Sequence, residues 1–468
     1  MVPHGQTGVE QDLDVLNALQ WFAHVSGDPV NFFSRLNTAQ QTYASFTADP
    51  RHLYQGVELG MLGPDVVASF FAQAKSLLDS RRTFDIGLAS RCVPWMKQIG
   101  ANLSALSQTH GAADRVRRML LDQTTEPDSV LFELVMAGNY AANGENIVFV
   151  EEQPGIARTP DLRLFVDELP ETVAIELKRL RRGEYEIQER RLQERIFRRV
   201  ADILDTRSLS LHIDVNYIVE LQNVPESYLS DWLQRFLVSS YAGSNHYSWH
   251  DEFGFGEISL ANVDAVLNDV RDTSLYIGTK FARLLAGRPV REYAFQLAAG
   301  LNPDPRDPRF FDHIHYGSVV TWQCIAPLAI ERKARHVKSK LIEAARQVKA
   351  DGVGMIHLAM DVEVGCESSD LRRQKNKDVI AEFRAESPVA ALYVHYLVPR
   401  ISELHSWILD ETVDSFAAGT ISVPPMMVFS SSTPLGNDLP AWQQKLDTPA
   451  QVDGYSSLLG VNKFSFDR

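Results

Sequence analysis

Apolar residues recur at helical spacing through the first quarter of the chain. Val67, Phe70, Phe71, Ala74, Leu77 and Leu78 mark one stripe after Pro64-Asp65, whose carboxylate suits a helix start. Similar stripes cover Leu13–Phe32 and Ala113–Leu121, so residues 1–125 read as a helical region suited to packing or partner contact. The pattern changes at Pro127. A helix is predicted from Asp128, with Asp128/Ser129 at its start and Gly144 at its stop. From Ser129 to Ala142 its only charged residue is Glu133. A helix apolar nearly all round is normally buried, so Glu133 is a carboxylate carried into the interior or to the lip of a cleft.

Strand signals follow. Asn146–Glu151 is β-branched and aromatic, and Leu162–Val166 with Thr172–Leu180 reads as a hairpin around the polar turn Asp167–Glu171. Leu192, Ile196, Val200 and Ile203 form a helical stripe, and Leu209–Leu221 alternates as a half-buried strand. Residues 222–312 mix helical pieces with Gly- and Pro-rich loops, including NPDPRDPRF. Val319–Ile330 is strand-like, although Pro327 argues against a central place in a sheet. Lys333–Ala350 then predicts an amphipathic helix, and Val353–Met360 a buried strand. A helix (Asp370–Arg384), a strand (Val389–Leu397) and a helix (Ser402–Phe416) continue the α/β layering.

Composition narrows the class. At 468 residues, a typical domain of ~150 implies roughly three domains or one with large insertions. Apolar residues at 45% and charged residues at 23% are ordinary for a globular chain with a real core. No run approaches the ~20 apolar residues that cross a bilayer, and the first residues do not resemble a secretory signal. Cys92, Cys324 and Cys366 are scattered, which excludes a disulfide scaffold and fits a reducing, cytoplasmic setting. The net charge of −14 excludes a general polycation, so contact with phosphates needs a local basic patch.

Four residues then stand out together: Glu133, Asp161, Glu176 and Lys178. Positions i and i+2 of a strand share a face, so Glu176 and Lys178 point the same way. If the hairpin turn centres near Leu169, Asp161 lies opposite Leu177, between the two, at cross-strand separations of about 5–8 Å. Two carboxylates at ~4 Å repel by about 4 kcal/mol at an effective dielectric near 20, so the pair calls for a proton or a cation. Mg²⁺ suits one or two carboxylates plus a phosphate oxygen, and an adjacent ammonium orients water or stabilises charge on phosphorus.

With Pro160-Asp161 and Glu176-Leu177-Lys178 on a hairpin, preceded by a helix bearing Glu133 and a strand, the sequence resembles the PD-(D/E)XK nuclease superfamily. The resemblance covers about residues 127–180. It implies an α/β fold with a restriction-endonuclease-like core, a mixed central sheet flanked by helices. Asp161 and Glu176 would be ligands of Mg²⁺ or Mn²⁺ with the Leu177 carbonyl, Lys178 would act on the attacking water, and Glu133 would support the site or a second ion. The core still needs a helix and a strand, and two segments compete: Gln188–Leu204 with Leu209–Leu221, or Lys333–Ala350 with Val353–Met360. The later pair is preferred. It makes 126–186 plus 333–430 the core, 187–332 an inserted α+β region and 431–468 a C-terminal tail. Lys340 and Gln347, seven apart on one helix face, would then reach the site.

Each short motif alone is common. Pro-Asp occurs four times and Glu-x-Lys twice. The rival set, Pro303-Asp304 with Glu331-Arg332-Lys333, fails on context, because Pro305 and Pro308 spoil a strand after Asp304. Bland alternatives accompany each choice: an exposed Glu176–Lys178 pair, a Glu133–Arg pair at a helix border, and a solvated basic run from Lys178 to Arg199. In the functional alternative, Arg179, Arg181 and Arg182 of that run track a nucleic-acid backbone. His313-x-His315 lacks a third ligand, and Gly352–Gly354 follows a helix, the wrong order for a dinucleotide loop.

The expectation is therefore a metal-dependent nuclease, with DNA favoured over RNA. The helical or inserted region would meet a protein partner or a second copy, and no membrane is involved. By fold-level analogy alone, the resemblance implies prokaryotic restriction, repair or phage defence. The alternative is a catalytically inactive nuclease fold serving as a nucleic-acid-binding or scaffold subunit.

Overall fold

The computed structural model describes residues 12–49, 59–151, 159–166, 172–240, 244–271, 274–288, 290, 294–348, 353–362, 367–383, 389–401 and 407–417. The turn Asp167–Glu171, Gly352, Cys366 and the tail 431–468 lie outside them. The helices α1 (Leu13–Val25), α2 (Pro29–Thr47), α3 (Val66–Asp79), α4 (Ile86–Ala101), α5 (Leu103–Leu106), α6 (Ala112–Leu121) and α7 (Asp128–Ala142) come first. Asp65 starts α3 as its sequence implied: its Oδ1 accepts from the Ala68 amide at 2.9 Å. Gly144, at φ +87°, ends α7 in the left-handed region that favours glycine.

The chain then forms β1 (Asn146–Phe149), β2 (Leu162–Phe165) and β3 (Val173–Leu180). It continues through α8 (Glu184–Thr206), β4 (Leu211–Tyr217), α9 (Tyr228–Ser240), β5 (His246–His250), β6 (Gly254–Leu260) and α10 (Val263–Val270). Next come β7 (Leu275–Tyr276), α11 (Thr279–Ala286), β8 (Phe295–Asp304), β9 (Asp307–Cys324) and α12 (Pro327–Val348). The last elements are β10 (Gly354–Asp361), α13 (Glu367–Glu382), β11 (Val389–Ile401) and β12 (Trp407–Ala417).

Two mixed sheets result, each flanked by helices. The first has the order β1-β2-β3-β10-β11-β12, parallel at β3–β10 and β10–β11 and antiparallel elsewhere. The second has the order β5-β6-β4-β9-β7, with β8 paired to β9, and lies between β3 and α12 in the chain. Of the two segments that compete to extend the hairpin sheet, Gly354–Asp361 pairs with β3, whereas Leu211–Tyr217 belongs to the second sheet. Ile175 and Leu177 on one face of β3 join the core built by α1–α7, while Leu180 on the other face packs with Val337 and Leu341 of α12. Alternation along one strand thus divides its side chains between two layers.

Three local expectations are corrected. Trp407–Ala417 is a strand paired antiparallel to β11, not part of a helix over Ser402–Phe416. It covers what would be the open edge of β11, and an unpaired edge leaves a row of backbone groups without partners. The segment NPDPRDPRF is the tip of the β8–β9 hairpin: Asp304 pairs with Asp307, and register shifts around Pro303 absorb the prolines. Pro308 therefore sits inside β9 rather than spoiling it. The strand expected over Val319–Ile330 ends at Cys324, and Pro327 opens α12, where its missing N–H leaves no bond unmade.

A buried ladder ties the last three strands together. His357 Nδ1 and His395 Nε2 lie 2.9 Å apart, His395 Nδ1 meets Glu411 Oε1, and the Tyr140 hydroxyl is 3.2 Å from His357 Nε2. Burial, then the His395 charge, holds His357 well below the ordinary imidazole value. The unfolded chain therefore binds this proton more readily than the folded one. Stability should drop as pH falls from about 6.5 to 5, by up to ~2 kcal/mol for this histidine. Thermal melts of wild type and His357→Gln across that range check this, with the variant showing the shallower dependence.

Candidate active site at the β2–β3 hairpin

The hairpin register follows from its apolar face. Leu162 pairs with Ile175 and Leu164 with Val173, and all four enter the same core. Pairing Asp161 with Leu177, as expected from a turn at Leu169, would set Leu162 against Glu176 and break that match. The observed ladder is one residue away and ends at Leu162, in line to set Asp161 against Glu176. Beyond its end, the Asp161 side chain replaces a backbone partner: Oδ2 accepts from the Leu177 amide at 2.9 Å.

Glu176 is 0% exposed. Its Oε1 lies 2.5 Å from Lys178 Nζ, and its Oε2 has no hydrogen-bond partner among the described residues. Burial first, and the Asp161 charge second, push the Glu176 carboxyl up to about 9, against the opposing pull of Lys178. Burial disfavours the Lys178 charge, but Glu176, Asp161 and Glu343 outweigh it and hold the ammonium above its ordinary value. An exposed surface pair is therefore excluded. Glu176 faces α12, where Glu343 lies 3.7 Å from Lys178 Nζ.

Glu133 is carried inside, as the apolar helix around it implied, and is only 9% exposed. Its Oε2 lies 2.6 Å from Arg115 Nε, and Arg115 Nη2 lies 3.4 Å from Asp161 Oδ1. Glu133, expected to support the metal site or a second ion, is here the partner of a guanidinium. Among the described residues, no three His, Cys, Asp or Glu side chains are grouped to hold a metal ion. His315 Nε2 lies 2.9 Å from Asn302 Oδ1.

The remaining expected positions divide in two. Lys340 pairs with Glu343 at 2.9 Å, and the Gln347 amide reaches the Thr159 carbonyl at 3.5 Å, so both stand at the rim of the hairpin site. Arg179 is corrected. It is on the opposite face of β3, its side chain only 5% exposed, with Nη2 2.5 Å from Asp361 and its charge over Trp95. It has no surface to offer a phosphate backbone. Arg181 bonds Asp128 and the Glu126 carbonyl, and Arg182 is exposed just after β3. In the rival set, Lys333 of α12 pairs with Glu189 of α8 at 2.7 Å, whereas Asp304 is bound to Arg306 and Ser274 at the β8–β9 tip.

Sequence reasoning missed Arg115 and Glu343. Both carried a signal. Arg115 falls on the buried stripe Ala112, Val116, Met119 and Leu120, where a charge demands a partner. Glu343 lies three residues after Lys340 and four before Gln347, on the helix face already singled out. The arrangement offers two carboxylates at the end of a strand pair, one of them starved of hydrogen bonds, beside an ammonium. No described helix is long and apolar enough to cross a membrane. Compared with known proteins, the chain matches no family model, no curated protein and no solved structure.

Proposed function

We propose that the chain is a divalent-cation-dependent nuclease with a restriction-endonuclease-like core, DNA being its favoured substrate. One observation carries the reading: a fully buried Glu176 carboxylate, with an unbonded oxygen, beside both Asp161 and the Lys178 ammonium. Such a carboxylate takes up either a proton or a cation. The order α7, β1, β2, β3, α12, β10 supports the PD-(D/E)XK resemblance.

Asp161 and Glu176 would hold Mg²⁺ or Mn²⁺, together with the Leu177 carbonyl. The ion would supply charge against the phosphate and make water more acidic near neutrality. Lys178 is placed to orient the attacking water and to offset charge growing on the phosphoryl oxygens. Glu343 holds Lys178 from the α12 side, and Lys340 and Gln347 border the approach. The second sheet and the N-terminal helices would select the polymer or a protein partner.

The alternative of a catalytically inactive, nucleic-acid-binding or scaffold protein is favoured by one observation, the guanidinium between Glu133 and Asp161 where a further ligand set was expected. The two readings separate in one assay on labelled single- and double-stranded DNA and RNA. A nuclease cuts with Mg²⁺ or Mn²⁺, stops in EDTA, and is silent as folded Asp161→Ala. A scaffold leaves every polymer intact in all ions and binds equally well after that substitution.

A further inference from the structure

Arg115 enters the site from α6, an element of the N-terminal helical region. It is 5% exposed, so its charge is desolvated and must be offset nearby. Glu133 Oε2 at 2.6 Å and Asp161 Oδ1 at 3.4 Å supply two carboxylates to one guanidinium. The face of Phe149 lies 5.9 Å from its Cζ and limits where it can turn. Asp161 is thereby held from two sides, by Arg115 at Oδ1 and by the Leu177 amide at Oδ2.

We propose that Arg115 is a positioning residue that occupies the place of a second cation between Glu133 and Asp161, so that the site takes one divalent ion. This rests on the nuclease reading of Asp161 and Glu176. A guanidinium stays protonated at any working pH, so this positive charge, unlike a metal, survives chelation. It keeps Asp161 aimed while the ion-binding pair Asp161 and Glu176 fills and empties. It also makes the N-terminal helical region part of the site rather than an appendage. Glu133, neutralised by Arg115, is left with no ligand role.

The test is a Mn²⁺ titration of the full chain at pH 7.5, with free Mn²⁺ followed by electron paramagnetic resonance. Wild type should bind one ion per chain. Arg115→Gln, with its two carboxylates released, should bind two, a change that a merely structural arginine would not produce. Glu133→Gln keeps the shape and should still bind one ion with affinity within about threefold of wild type. Two ions in wild type, or a tenfold or greater loss of affinity in Glu133→Gln, overturns the proposal while leaving the nuclease reading standing. No ion bound by wild type overturns the nuclease reading itself, and this inference with it. If Arg115→Gln does not fold, the wild-type stoichiometry and the Glu133→Gln affinity decide.

Discussion

Lys178→Ala protein should melt close to wild type yet cleave polynucleotide about a hundred- to thousandfold more slowly in Mg²⁺. The loss follows from removing one preorganised charge at the point where negative charge develops, typically ~3–4 kcal/mol of transition-state stabilisation. The modest stability change follows from Glu176. In wild type, Lys178 opposes the burial and the Asp161 charge that push this carboxyl upward. Without the ammonium, the metal-free carboxyl simply keeps a proton, so no bare buried charge remains to unfold the protein. Single-turnover cleavage and thermal melts on the same preparation check both halves. Wild-type cleavage by Lys178→Ala would reduce the residue to a structural ion partner.

Glu176→Gln should separate stability from activity more sharply still. Folding raises the Glu176 pKa, so the folded state holds a proton that the unfolded chain releases above about 4.5. Stability from this group is therefore greatest below about 4.5, falls as pH rises toward about 9, and levels off beyond. In EDTA at pH 8 the amide should be more stable than the acid by several kcal/mol, and the alkaline decline should flatten. Mg²⁺ should stabilise wild type increasingly with pH, because ion and proton compete for one carboxylate, and should leave Glu176→Gln largely unmoved. Cleavage should be lost. Denaturant unfolding across pH, with and without Mg²⁺, reads all of these, and a variant with an unchanged pH profile contradicts the assigned burial effect.

Much of the first sheet was legible because its signals are local. The nearly uncharged stretch around Glu133 implied a buried helix, and the Asp161, Glu176 and Lys178 hairpin needed only strand alternation and a short turn. The strand Gly354–Asp361 is apolar almost throughout, as a strand with two covered faces must be. What failed depended on distant partners. A turn centred near Leu169 places the hairpin register one residue off, because matching of Leu162 and Leu164 to Ile175 and Val173 decides it. Trp407–Ala417 mixes apolar and acidic residues without a clear period, and only the exposed edge of β11 makes it a strand.

The site was half legible for the same reason. Glu176 and Lys178 announce each other at i and i+2, but Arg115 reaches Asp161 across 46 positions of sequence. An arginine on an otherwise apolar stripe says that a partner exists without saying which. Arg179 shows the converse. It sits in a basic run that suggests a nucleic-acid surface, yet alternation along β3 turns it to the face opposite Lys178, where Asp361 holds it.

In the proposed nuclease, Asp161 and Glu176 together hold a catalytic divalent ion. Crystals soaked in millimolar Mn²⁺ and measured for anomalous scattering test it most directly. One peak is expected at the β2–β3 hairpin, with carboxylate oxygens of Asp161 and Glu176 at roughly 2.1 Å, absent from Asp161→Ala crystals grown alike. Density empty at that position, with Glu176 still closed on Lys178, would contradict it.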